Sequence, residues 1–310
     1  MKQEVMACAP GKVNLSLRVG GLREDGFHEL DTVFCALDIY DDVHATLDPA
    51  LSMSITGLGE ELPVDESNLV IKAAKLLQEK SGINLGARLV VEKRIPVAGG
   101  MAGGSADAAA TLVALNELWE LGYTKLELLE FGAELGSDVP FALLGGIAHG
   151  RGRGENLVPI ETAANMFGVV MLANPVGLST PAVFQEFDRL QIAEAGSAPA
   201  ESTELISYLQ EEADLSQRSA VTSAGLRKFL INDLEPAAFS LRPDLAEISR
   251  KLQEELNLPA LLSGSGPTFA VLSEVSSLNE DVASLQKSFP ELMVFAGAMT
   301  NCGAHLRWTK

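Results

Sequence analysis

Between residues 7 and 19, apolar positions alternate loosely with polar and small ones around the insert Pro10-Gly11-Lys12. Two further apolar runs, 32–39 and 43–47, lie on either side of Asp41-Asp42. Alternation of period two, punctuated by Pro, Gly and Asp, marks strands joined by turns. The first third is therefore predicted to be strand-rich, with Asp41-Asp42 in a turn. Helical spacing takes over next. Val70, Ala73, Ala74 and Leu77 share one face of a helix predicted over 68–80, capped by Ser67 and stopped by Gly82. A strand over 88–94 ends at Pro96, and a glycine-rich loop leads into a helix from about Ser105 to Leu121. Its apolar positions Ala108, Leu112, Leu115 and Trp119 recur at helical intervals. A third helix covers 125–135 and ends at Gly136.

Beyond Gly154 the texture changes. A buried strand over 169–173 and a short helix over 180–190 precede a stretch, 193–202, rich in Ala, Ser, Pro and Glu. That composition reads as a mobile surface connection. Helix 243–256, strand 258–262, turn Gly264-Ser265-Gly266, strand 268–272, helix 278–289 and strands 292–296 and 304–308 follow in order. The pattern is α+β without an internal repeat. The 310 residues correspond to roughly two domains, expected as 1–162 and 163–310 with a boundary in 161–167.

Composition narrows the function. The chain is 47% hydrophobic, enough for a substantial core. It carries 23 Lys and Arg against 42 Asp and Glu, a net charge of −19. Broad nucleic-acid surfaces and polybasic membrane patches both need clustered cations, so neither partner is expected. A small anionic ligand would need a local device. Cys8, Cys35 and Cys302 form no Cys-x-x-Cys pair and no disulfide framework. The first residues lack the apolar core of a signal peptide, and the longest apolar stretch, 165–176, is too short to span a bilayer. A soluble, cytoplasmic protein is expected.

Three segments carry candidate chemistry. In Ile95-Pro-Val-Ala-Gly-Gly-Met-Ala-Gly-Gly-Ser105-Ala-Asp107, four glycines lie between a strand and a helix. Such a loop brings successive N–H groups and a helix N-terminus to a phosphate. Ser105 could also bind Mg²⁺. The plain alternative is a flexible turn with Ser105 as cap. The loop is neither a Walker A sequence nor a dinucleotide fingerprint. In Ala9-Pro-Gly-Lys12-Val-Asn14, Lys12 and Asn14 are two apart, so on a strand they point to one side; a surface lysine is the alternative. In Leu135-Gly-Ser-Asp138-Val-Pro-Phe141, Asp138 either caps a short helix or faces Lys12 as a proton acceptor. The turn Ser263-Gly-Ser-Gly-Pro267 is a hairpin or a second anion-binding loop.

In this order, the segments resemble the GHMP kinase superfamily. Its first motif is similar to Pro10–Leu15, its phosphate loop to Pro96–Ala106 with Met101-Ala102 in place of the usual Leu-Gly, and its third motif to Ser263–Pro267. The block Arg23-Glu-Asp-Gly-Phe-His-Glu-Leu30, the extended loop Gly103-Gly-Ser-Ala-Asp107 and Gly136–Pro140 resemble the branch that acts on CDP-methylerythritol, and similarity spans nearly the whole chain. The resemblance implies an N-terminal ribosomal protein S5 domain 2-like domain and a C-terminal ferredoxin-like α+β domain. It implies an ATP- and Mg²⁺-dependent kinase that phosphorylates the C2 hydroxyl of CDP-methylerythritol, on the methylerythritol phosphate route to isoprenoid (terpenoid) precursors.

Residue by residue, it makes Asp138 the base and Lys12 the group that pairs with it and steadies the reacting hydroxyl. Pro96, Val97, Ala98, Gly99, Gly100, Met101, Ala102, Gly103, Gly104, Ser105 and Ala106 would hold ATP, with Ser105 on the metal. Asn14, Phe27, His28, Thr180 and Phe184 would hold substrate, Phe27 and Phe184 sandwiching the cytosine. Phe27 departs from the family's frequent Tyr and lacks its hydroxyl. A homoserine, mevalonate or sugar kinase would share the three motifs without the 25–28 block, and a non-catalytic relic would have lost Lys12 or Asp138. Elsewhere, His44 and His149 are expected at the surface or in turns, His305 in a terminal strand, and Trp119 in the core. Asp31, Asp41 and Asp42 are expected in turns and on solvated faces, and Arg151-Gly-Arg-Gly154 in a plain turn or a basic loop near phosphate.

Overall fold

The computed structural model describes residues 2–97, 99–163, 165–194, 196–212 and 222–309. Strands β1 (Glu4–Leu22), β2 (His28–Asp48) and β3 (Ser52–Gly57) precede helix α1 (Leu69–Ser81) and strand β4 (Gly86–Lys93). Helices α2 (Gly103–Leu118), α3 (Lys125–Leu135) and α4 (Val139–Leu144) follow, then strands β5 (Ile147–Gly152), β6 (Asn156–Ile160) and β7 (Gly168–Ala173). Helices α5 (Thr180–Arg189), α6 (Thr203–Glu212) and α7 (Ser223–Leu226) lead to the short strand β8 (Ile231–Asn232). Helices α8 (Glu235–Leu241) and α9 (Pro243–Arg250), strands β9 (Ala260–Leu262) and β10 (Phe269–Ser273), helix α10 (Leu278–Ser288) and strands β11 (Met293–Ala298) and β12 (His305–Thr309) complete the chain.

Among the described residues these strands form two sheets, as an α+β chain requires. The first runs β12-β1-β2-β4-β3, with β5 on β2, β6 on β5 and β8 on β1. The second runs β11-β7-β10-β9, all antiparallel. Numbered within that sheet, the strands lie in the order 4-1-3-2, with helices between the first and second and between the third and fourth. This is the expected ferredoxin-like arrangement. The last strand, β12, returns to the first sheet beside β1.

The first sheet and one face of the second share one core, and the other face of the second sheet covers another. Helix α2 lies against β1, β2 and α1, and Ala106, Ala108, Ala109, Ala110 and Ala114 are buried in it. A helix apolar on every side belongs in the interior, and small side chains let it approach a sheet closely. Trp119 is in this core, as expected, its indole N–H donating to the Gly86 carbonyl (3.4 Å). The second core lies between the second sheet and α5, α8, α9 and α10.

Several expectations need correction. Helix α1 is capped by Asn68, whose side chain accepts from the Val70 N–H, and not by Ser67. Asp41-Asp42 makes no turn: β2 runs straight through the pair, and Asp41 is 0% exposed. Two buried carboxylates are tolerable only with enough donors, and here they have them. Asp41 accepts from Lys93 Nζ (2.6 Å), Arg94 N (2.6 Å) and Ile95 N (2.8 Å). Asp42 accepts from Arg94 and from Arg307 of β12. Asp31 and His149 are also buried, and they face each other at 2.8 Å. The 193–202 stretch is a surface coil, as expected, and its described residues hydrogen-bond to the end of β1. Gly196 N–H donates to the Leu22 carbonyl and Gly21 N–H to the Ser197 carbonyl, which docks it on the end of β1.

Candidate active site

The irregularity of β1 places the first site residues. Its pairing with β2 shifts register between Pro10 and Gly11 and again between Asn14 and Ser16, which bends the strand locally. Between those shifts the pairing is regular, so Lys12 and Asn14, two apart, share a face, and Lys12 Nζ donates to Asn14 Oδ1 at 2.7 Å. Asn14 in turn donates to Thr32 Oγ1 at 2.8 Å, so its orientation is set. Lys12 is 7% exposed. Burial pushes its ammonium below the ordinary lysine value, and the charge of Asp138 acts in the opposite direction.

Asp138 occupies the cap position of α4 but makes no capping hydrogen bond. The cap reading thus has no hydrogen bond behind it, and Asp138 lies on the wall of the same cavity as Lys12. That cavity encloses about 910 Å³ between the two sheets' loops. Lys12, Asn14, Phe27, His28, Pro96, Val97, Gly99, Gly100, Ala102, Gly103, Gly104, Asp138, Thr180 and Phe184 all lie on its wall. Met101 and Ala106 do not; both are buried, and Met101 instead takes the Lys12 N–H on its carbonyl (3.1 Å). Ala98 lies outside the described residues.

The glycine-rich loop joins β4 to α2. Helix α2 starts at Gly103, with Ala102 in the left-handed cap position at φ 57°. Ser105 is thus not the cap but part of the first turn, and it is absent from the cavity lining. Gly100 has φ +68°, and a Cβ there would stand 2.1 Å from the Ser263 carbonyl oxygen. Ser263 Oγ donates back to the Gly100 carbonyl at 3.1 Å. The first-sheet loop is thereby clasped to the 263–267 turn of the second sheet. Ser265 of that turn meets Thr180 Oγ1 at 2.8 Å. Gly100→Ala is expected to force the two loops apart and weaken ATP binding at least about tenfold. Titration calorimetry with ATP checks this, and unchanged affinity would show that the clasp does not shape the nucleotide site.

The opposite end of the cavity is aromatic. The His28 ring stacks on Phe184, with centroids 5.1 Å apart at 27°, and meets Phe187 edge-on. Phe27 is 50% exposed, and the Arg153 guanidinium lies over its ring at 4.8 Å. The Arg151–Gly154 segment is therefore more than a plain turn, because Arg153 is on the cavity wall.

Two wall residues to which the sequence assigns no role meet in the structure. Lys93, at the end of β4, donates to both Asp41 and Asp107 at 2.6 Å each. Burial works against the Lys93 charge, but the two carboxylates outweigh it and raise its pKa. Asp107 is pushed up to about 8 by burial, against the pull of Lys93. Its second oxygen, Oδ1, is buried without a hydrogen-bond partner. Lys93 ends a strand and Asp107 sits among alanines, so periodicity alone marked neither.

A glycine loop and helix N-terminus, a buried lysine, a nearby carboxylate and a distal aromatic pocket define a small-molecule phosphotransferase site. Residues 68–146 match the model for the GHMP kinases N terminal domain. A 4-diphosphocytidyl-2-C-methyl-D-erythritol kinase of Mycolicibacterium smegmatis is 46% identical over 276 residues, covering 89% of this chain and 83% of that one. The kinase of the same name from Nocardia farcinica is 47% identical over 281 residues, covering 90% and 88%. A crystal structure of 4-(cytidine 5'-diphospho)-2C-methyl-D-erythritol kinase superposes with a TM-score of 0.72 at 31% identity, covering 95% of this chain and 99% of that one. The chain belongs to the GHMP kinases and, within them, to the 4-diphosphocytidyl-2-C-methyl-D-erythritol kinase family.

Proposed function

We propose that this kinase transfers the γ-phosphoryl group of ATP to the C2 hydroxyl of 4-diphosphocytidyl-2-C-methyl-D-erythritol. The observation that carries the reading is one cavity with a glycine loop, Lys12 and Asp138 at one end and Phe27, His28 and Phe184 at the other. Phosphoryl transfer asks for alignment and charge stabilisation more than for covalent chemistry. Backbone N–H groups of 99–104 and the N-terminus of α2 hold the phosphates of ATP. Lys12, fixed by Asn14, steadies the accepting hydroxyl. Asp138 takes its proton as the oxygen attacks phosphorus. The net charge of −19 does not oppose this, because these devices act locally.

Mg²⁺ is the expected companion of ATP, and the donor set tests its fit. Asp107 Oδ1 is a hard carboxylate oxygen, buried, unpartnered and on a residue of the cavity wall. Such an oxygen suits Mg²⁺, so Asp107 fits the role better than Ser105, which is off the wall. When bound, the ion offsets phosphate charge.

Substrate choice is set at the aromatic end. Stacking supplies affinity for any flat ring, while hydrogen bonds to the base edge discriminate. Phe184→Ala is expected to raise the KM for the cytidine substrate about tenfold and to leave the KM for ATP nearly unchanged. Equal changes in both constants would place Phe184 in the core or beside the adenine. The reading as a whole is tested by ATP consumption with 4-diphosphocytidyl-2-C-methyl-D-erythritol, homoserine and mevalonate in parallel. Turnover is expected with the first alone, and turnover with homoserine or mevalonate instead would replace the substrate assigned here.

A further inference from the structure

The stacked rings of the aromatic end come from different parts of the chain. His28 follows the β1–β2 hairpin, and Phe184 is on α5. The described residues of 190–202, all but Ala195, run between them. They leave α5 through the bonds from Leu190 N to Glu186 O and from Ile192 N to Phe187 O. They then lie along the end of β1, where Gly21 N donates to Ser197 O at 2.9 Å and Gly196 N to Leu22 O at 3.2 Å. Their far end is pinned by Ser202, whose N–H donates to Asp31 Oδ1 and whose hydroxyl meets Ser16 Oγ, both at 2.9 Å.

This docking needs Gly20 and Gly21. A Cβ on Gly21 would stand 1.8 Å from the Glu194 carbonyl oxygen, and one on Gly20 would stand 2.5 Å from the Ser197 carbonyl oxygen. Those are backbone atoms and cannot swing aside as a side chain would. Neither glycine has a positive φ, so the requirement comes from close approach alone. Gly20 also reaches the site directly. Its carbonyl lies 2.8 Å from His28 Nδ1, and since a carbonyl oxygen only accepts, Nδ1 carries the proton and the ring is held in one orientation. That ring is the one stacked on Phe184. The contacts close a loop from α5 through the strap to β1, on to His28 and back to Phe184.

We propose that Gly20 and Gly21 are positioning residues for the cytidine end of the substrate. By admitting the strap they fix the His28 ring against Phe184, and so set the aromatic face offered to the base. The inference rests on the substrate proposed above. The glycine loop and Asp138 are carried by other elements, and Lys12 and Asn14, on the same strand as the two glycines, are anchored separately by Met101 and Thr32, so the larger effect is expected at the cytidine end.

Gly21→Ala is expected to raise the KM for the cytidine substrate about tenfold or more, with kcat and the KM for ATP within about threefold of wild type. Gly20→Ala is expected to do the same more weakly, because its closest approach is longer. In the unaltered protein, hydrogen–deuterium exchange in 194–202 is expected to slow on adding the cytidine substrate but not on adding ATP. This readout holds even if Gly21→Ala does not fold. An unchanged substrate KM in a folded Gly21→Ala protein, parallel losses for both substrates, or exchange that ignores the cytidine substrate would each overturn the proposal. A wild-type protein inert toward the cytidine substrate would instead refute the function proposed above.

Discussion

Replacing Asp138 by Asn is expected to leave the fold and the affinity for ATP intact while lowering kcat by about 10²–10⁴-fold. The substitution is isosteric and removes only the charge and the capacity to take a proton. Little stability is at risk, because Asp138 makes no capping hydrogen bond to α4. What changes is the neighbourhood of Lys12. Its ammonium is buried, hydrogen-bonded to Asn14, and favoured in charged form by the Asp138 carboxylate. Without that carboxylate the hydroxyl loses its base, and burial is left to act on Lys12 without its opposing charge. Steady-state turnover together with ATP calorimetry separates the effects. Turnover within about threefold of wild type would remove Asp138 from the proton step.

The second large effect is expected at Lys93. Lys93→Met takes away the cation shared by Asp41 and Asp107, with all three side chains almost entirely excluded from solvent. Breaking a buried ion pair by removing one partner costs about 3–5 kcal/mol, since the remaining charge is uncompensated. Asp41 also accepts the N–H groups of Arg94 and Ile95, the residues that lead into the phosphate loop. The loss should therefore reach the nucleotide site as well as overall stability. Urea denaturation reads the first and the KM for ATP the second. A change below about 1 kcal/mol would mean that the cluster is held by its surroundings and not by Lys93.

This cluster also shows where the sequence falls silent. The spacing of Lys12 and Asn14, the strand–loop–helix around 96–106 and the face of α1 are local facts, and local periodicity reveals them. Asp41-Asp42 looked like a turn because two adjacent carboxylates normally seek water. They are buried because their donors arrive from 52 to 54 residues further on in β4 and its exit, and from Arg307 in the last strand. Nothing within a short window records those partners. The 193–202 stretch reads as a surface connection and is one, but its composition does not record the docking of its described residues on β1, for which Gly20 and Gly21, far upstream, make room. Ser105 was misplaced by two residues of helix, since Gly103 and Gly104 begin α2 despite their poor helix propensity. The family motifs supplied the proposed base, the lysine and the proposed cytidine contacts. Lys93 and Asp107 emerged only from their meeting in the fold.

The central claim is that phosphate is delivered to C2 of the methylerythritol unit, and phosphorus NMR of the product formed from ATP and 4-diphosphocytidyl-2-C-methyl-D-erythritol tests it most directly. C2 bears the methyl branch and no hydrogen, so a phosphate on its oxygen has no three-bond coupling to a proton. One new phosphomonoester singlet is expected, formed in step with ADP. A triplet from the C1 methylene, a doublet from the C3 methine, or ADP without any new phosphomonoester would contradict the account.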